Sequence, residues 1–160
     1  MSELRELGNT WYVGEAILKE AQFTWEVLPD GSRRQVPIDL QVPVQQGVLV
    51  SLRPETEGEL ADYIDFSQEL DDGEAQALAL AKHRGMVLLT DDRKALRLAQ
   101  RPDINVPTMT TAQLLREWSE CNPANAFKLP EVLTRVEERA SFAPRRGSPD
   151  ADWWQQKRAR

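Results

Sequence analysis

Leu70-Asp71-Asp72-Gly73-Glu74-Ala75-Gln76-Ala77-Leu78-Ala79-Leu80-Ala81 and, after Lys82-His83-Arg84, Gly85-Met86-Val87-Leu88-Leu89-Thr90-Asp91-Asp92-Arg93-Lys94-Ala95 decide how this chain folds. The first run opens with acids, which suit the positive end of a helix dipole. Ala77 to Ala81 are all apolar and leave no solvated face, so the helix is expected to be buried. Gly85 stops it. Met86 to Thr90 then reads as a strand that is apolar on both faces, and Asp91-Asp92 opens another helix reaching about Gln100. A strand of that kind between helices belongs in a parallel sheet covered on both sides. Ligand sites in such sheets lie beyond the carboxyl ends of the strands. Asp91 and Asp92 fall at that edge.

Working outward, Ile104 to Met109 is a further strand, with Thr110 or Thr111 capping a helix to Glu120. Pro130 to Ser141 reads as the last helix. Upstream, Val48 to Leu52 is a buried strand and Glu55 to Phe66 a helix with Leu60, Tyr63, Ile64 and Phe66 on its apolar positions. Ile38 to Val44 carries Pro43 and follows Pro37, which limits it to an edge strand. Pro29-Asp30-Gly31-Ser32 is a turn between Trp25–Leu28 and Arg34–Val36, a candidate hairpin. Thr10 to Val13 is β-prone, and Gly14 to Trp25 reads as a helix with Ile17, Leu18, Ala21 and Trp25 in one stripe. The expected architecture is a three-layer α/β/α domain over residues 1–143 with a mostly parallel sheet. Residues 144–160 are expected to form a flexible basic tail containing Trp153 and Trp154.

The chain has 160 residues, enough to bury a core without cross-links. A single cysteine, Cys121, excludes an internal disulfide framework and suits a reducing cytoplasm. There is no secretory leader pattern and no apolar run long enough to span a membrane. Net charge is −6, divided unevenly. From Arg145 onward five basic residues face two acidic ones, so the tail is +3 and the rest −9. An acidic body disfavours simple attraction to a polyanion.

Three acidic groups on separate segments are candidates for one site: Glu20, Glu74 and Asp91, with Asp92 beside the last. Clustered carboxylates repel unless protonated or neutralised, and an all-oxygen set suits Mg²⁺ or Mn²⁺. Each also has a plainer reading. Asp71 with Glu74 has the spacing of a capping box, Asp91 and Asp92 are favoured in a first helical turn by the dipole alone, and Glu20 can be a solvated carboxylate.

The two quoted runs, an acid in a GEA-type helix start followed by an apolar strand ending in T-D-D-R, resemble the second half of a PIN domain. Trp11 to Glu20 with Ala21 is similar to that family's second strand and helix, where an acid closes a V/I-L-x-E phrase. The resemblance runs from about Leu4 to Trp118. It implies metal-dependent cleavage of RNA phosphodiester bonds, with Glu20, Glu74 and Asp91 as the second, third and fourth acids and Asp92 as an auxiliary ligand or helix cap. It also implies a toxin of VapC type held by a cognate antitoxin; a homodimer is a further expectation.

One departure stands out. The family opens with a central apolar strand ending in an aspartate, and the chain begins past it, in what resembles the following helix. A sheet without that strand exposes two edges. An upstream segment of about 20 to 30 residues is the favoured explanation. A degenerate relative that no longer cleaves, or a strand supplied by a partner, are the alternatives. On this reading the 160-residue chain is expected to be inactive.

Other features are weaker. His83 lies at a helix end and has no second histidine, so a zinc site is not expected. No dinucleotide or P-loop glycine pattern is present. Arg93, Lys94 and Arg97 can touch an RNA backbone or simply form a solvated face. Trp153-Trp154 can stack on bases or anchor in a partner's groove, against a default of an idle tail. The alternative to a nuclease is a non-catalytic PIN-like module that binds nucleic acid or protein.

Overall fold

The computed structural model describes residues 2–158. In chain order its elements are α1 (Ser2–Glu6), β1 (Trp11–Gly14), α2 (Glu15–Glu20), β2 (Phe23–Val27), β3 (Arg33–Pro37), α3 (Gln41–Gln45), β4 (Leu49–Leu52) and α4 (Glu57–Phe66). There follow α5 (Asp72–Arg84), β5 (Leu88–Leu89), α6 (Arg93–Ala99), β6 (Thr108–Met109), α7 (Thr111–Cys121), α8 (Pro123–Ala140) and α9 (Ala151–Arg158). Two compact units divide the chain, one of residues 9–21 and 40–111, the other of residues 2–8, 22–39 and 112–158.

The first unit holds the parallel strands. β1 pairs with β4 and β5 with β6, both in parallel, and no hydrogen-bonded ladder joins the two pairs. The α/β class with parallel strands is as expected, but Met86 to Thr90 yields only two paired residues because β6 meets one edge alone. Its core gathers Phe66, Leu70, Leu78, Leu88, Leu98 and Ile104 around the alanines of α5 and α6. α5 is as buried as its apolar run predicts, from Leu78 to Ala81. It ends at Gly85, whose φ of 64° is the left-handed conformation that glycine adopts without strain. Thr56 and Glu59 form a capping box at the start of α4. The Glu59 carboxylate also accepts from Glu55 N at 2.7 Å and from Arg84 Nε at 2.6 Å. Those donors, Arg84 first, hold the buried Glu59 carboxyl down at about 2. Ile38 to Val44 is not a strand: residues 41–45 form α3 instead, since Pro43 fits a helix's first turn and lacks the N–H an edge would use.

The second unit contains the antiparallel hairpin β2–β3, registered from Phe23↔Pro37 to Val27↔Arg33. It turns through Pro29 to Ser32, with Asp30 Oδ1 accepting from Ser32 N at 2.9 Å. The helix expected over 14–25 therefore stops at Glu20, and Phe23 to Trp25 join the hairpin. The last long helix begins at Pro123 rather than Pro130, capped by Asn122, whose side chain accepts from Asn125 N. Trp118, Leu129, Val132, Leu133 and Trp154 make this unit's core. The C-terminal segment departs from the flexible tail expected of its composition: α9 is helical, and Trp154 is 2% exposed with Nε1 donating to Glu137 Oε1 at 2.8 Å. A buried indole outweighs what composition alone suggests. No helix among the described residues is long and apolar enough to cross a membrane.

Candidate active site

All the acids singled out in the sequence lie in the first unit, and Glu20, Asp71, Glu74 and Asp92 gather around the amino end of α5. Glu20 closes α2, and its Oε1 accepts from Gly73 N at 3.2 Å. Gly73 makes that approach possible, because a Cβ there would collide with the Glu20 carboxylate and, at 2.9 Å, with Ile17 Cγ1. Gln76 adds a second tie that the sequence reading did not single out: its buried Oε1 accepts from Ala16 N at 3.0 Å, fixing the end of β1 against α5. One turn of α5 thus gathers the start of α2 and the acid that ends it.

Glu74 is half-buried on the same turn. Burial, then Asp92 and Asp71, push its carboxyl above the usual range; Lys94 opposes them and Glu20 adds to them. Glu20, Asp71, Glu74 and Asp92 therefore share one field, drawn from α2, α5 and the loop beyond β5. The capping box allowed by the Asp71–Glu74 spacing does not form: Asp71 makes no side-chain cap bond to α5.

The two adjacent aspartates diverge. Asp92 Oδ1 caps α6, accepting from Lys94 N at 2.7 Å and Ala95 N at 2.9 Å, while Asp92 N donates to Thr90 Oγ1. Asp91 is exposed and turned to Thr111, taking its N–H at 3.1 Å and its hydroxyl proton as well. Asp92, expected beside the main ligand, is the one whose charge bears most on Glu74. Tyr63 also joins the rim. Its phenol is raised above its usual value by burial first, then by Asp72 and Glu20, and so stays a proton donor there. In the sequence it counted only as an apolar position of the stripe on α4. Arg93, Lys94 and Arg97 are all exposed on α6.

The donor set is made of carboxylate oxygens, the chemistry that hard divalent ions take. The repulsion Glu74 feels from its acidic neighbours is the kind a cation relieves. Among the described residues, however, no three acid, histidine or cysteine side chains are already gathered into a group able to hold a metal. The chemistry fits a metal and the set falls short of a finished site.

A family model described as a PIN domain matches residues 1–121. The chain belongs to the PIN-domain family. No curated protein and no solved structure is significantly similar to it. The PIN fold is of nuclease type and its members generally use divalent metals, which agrees with the chemistry of the rim. The matched stretch contains every acid of the rim, while α8 and α9 lie beyond it.

Proposed function

We propose that this PIN domain is a metal-dependent ribonuclease cleaving RNA phosphodiester bonds in the cytoplasm, the toxin partner of a cognate antitoxin. The observation that carries the reading is the gathering of Glu20, Glu74 and Asp92 at the amino end of α5, beside the loop beyond β5. Glu20, Glu74 and Asp91 are the ligands we assign to Mg²⁺ or Mn²⁺, with Asp92 alongside. Asp91 joins them by releasing Thr111. When bound, such an ion polarises a phosphoryl oxygen and lowers the pKa of water. The acidic neighbours that hold Glu74 above its usual range are the repulsion that such an ion would relieve. Arg93, Lys94 and Arg97 bring three exposed cations to the neighbouring helix, where they meet an RNA backbone without reading sequence.

Three carboxylates fall short of a full ligand set, so the chain by itself is expected to cleave poorly. Extended at its amino end by an apolar strand that ends in aspartate, it is expected to cleave single-stranded RNA with Mn²⁺, to stop with EDTA, and to lose activity in Asp91→Asn and Glu74→Gln. Cleavage that persists in EDTA would remove the metal from the account. Retained RNA binding with no cleavage under any metal would favour the non-catalytic module.

A further inference from the structure

α2 is a helix of 6 residues, none of them fully buried. At about 9 Å it is shorter than two turns, and a helix of that length does not persist in water on its own hydrogen bonds. Glu20 is its last residue, so the place of the Glu20 carboxylate is set by whatever holds α2. Gln76 of α5 stands at the other end. Gly14, just before α2, has no side chain with which to cap it. Gln76 Oε1 takes that part from 60 residues away in sequence, accepting from Ala16 N at 3.0 Å. Gln76 is 6% exposed, and its neighbours Ala75, Leu78 and Ala79 belong to the apolar core. An amide in such a place costs free energy unless it is hydrogen-bonded, and a leucine fills a similar volume without that cost.

Two glycines make room for these contacts. The φ of −69° and ψ of 145° at Gly14 suit any residue, yet a Cβ there would collide with Gln76 Oε1. Gln76 therefore demands the glycine, and the backbone does not. Gly73, one turn before Gln76, is demanded in the same way by the Glu20 carboxylate. Each end of α2 is thus fitted to α5 at a position that excludes a side chain.

We infer that Gln76 is a positioning residue of the acidic rim: by fastening the start of α2 it holds Glu20 at the amino end of α5. With that tie cut, Ala16 N finds another acceptor in water only as α2 lifts from α5, and Glu20 is carried with it. Glu74 and Asp92 stay where they are, so the rim loses one oxygen donor of its set and its pull on a divalent ion weakens. The hold on Glu20 stands on the geometry alone, while its consequence for a divalent ion rests on the ribonuclease reading.

Gly73 N reports the hold directly. It lies in the first turn of α5, where no carbonyl of the helix accepts from it, and Glu20 is its partner. In Gln76→Leu the amides of Gly73 and Ala16 are expected to exchange about tenfold faster, the worth of one hydrogen bond. Those of Leu78 to Ala81 should keep their rates. Gly14→Ala should have the same effect by displacing the carboxamide. Mn²⁺, followed by the broadening it causes at Gly73 and Glu74, is expected to bind either variant about tenfold more weakly. In a chain already carrying Glu20→Gln, Gln76→Leu should weaken Mn²⁺ no further, since its effect passes through that carboxylate. Unchanged exchange at Gly73 would overturn the proposal, as would faster exchange throughout the chain, which marks a general loss of stability. So would Mn²⁺ that binds the rim equally well in the variants, or a further loss in the Glu20→Gln chain. Faster exchange at Gly73 alone, with no Mn²⁺ at the rim of the unaltered chain, would uphold the hold on Glu20 and remove the ribonuclease reading. If Gln76→Leu fails to fold, Gly14→Ala decides.

Discussion

Asp91 and Asp92 are neighbours in sequence and hold different structures together. Asp92 caps α6 and acts on Glu74, whereas Asp91 fastens the start of α7 through Thr111. Asp92→Ala is expected to lower stability by about 1 kcal/mol, the usual worth of an N-cap, in urea denaturation; Asp91→Ala should lower it less, its bonds being exposed. Glu74 makes a pH prediction. Its carboxyl is raised in the folded chain, so the folded state binds its proton more tightly, and stability falls as pH rises above the ordinary value of 4.5. Glu74→Gln should therefore melt above the unaltered chain at pH 7 and level with it below that value. Glu59 has the opposite sign: its contribution is complete above 4.5 and is lost as pH falls toward about 2. Glu59→Ala should remove about 2 to 4 kcal/mol at neutral pH, because Arg84 is left without its buried partner. That acids from α2 and α5 come together was legible from helix starts and ends. Which of the two aspartates bears on Glu74 was not, because Thr111 competes for Asp91 from 20 residues away.

Elements were legible where periodicity and punctuation agree. α5, with acids before it, an apolar run within and Gly85 after, stands where the sequence places it. α8 was misread because Pro130 resembles a first-turn proline, although Asn122-Pro123 carries the same signal with a capping side chain. Pro130 lies inside the helix, and Thr134 Oγ1 donates to its carbonyl at 3.0 Å. α9 was misread because its charge and its place at the end of the chain suggested disorder. The indole of Trp154, edge-on to Phe142 at 5.6 Å, anchors it. Trp154→Ala is expected to cost about 3 to 5 kcal/mol and to loosen α9 first, read by thermal melting and by exchange of the α9 amides. Trp153 stays half-buried with Arg116 stacked over it at 4.8 Å, so the pair is engaged within its own unit and is not a free anchor for a partner.

At the scale of the whole chain, the sequence predicted parallel strands and the rim where their carboxyl ends meet. β1 with β4 and β5 with β6 are those parallel strands. The division into two units was not legible, since the second is assembled from three separated stretches and no linker composition marks its borders. The proposed activity depends most on carboxylates from α2, α5 and the loop beyond β5 sharing a divalent ion. Mn²⁺ added far below stoichiometry broadens amide resonances only near where it binds, and detects weak sites. Selective broadening is expected at Gly73, Glu74 and Asp92, reversed by Mg²⁺ and abolished in Glu74→Gln. Broadening that is uniform, centred elsewhere, or unchanged in Glu74→Gln would contradict it.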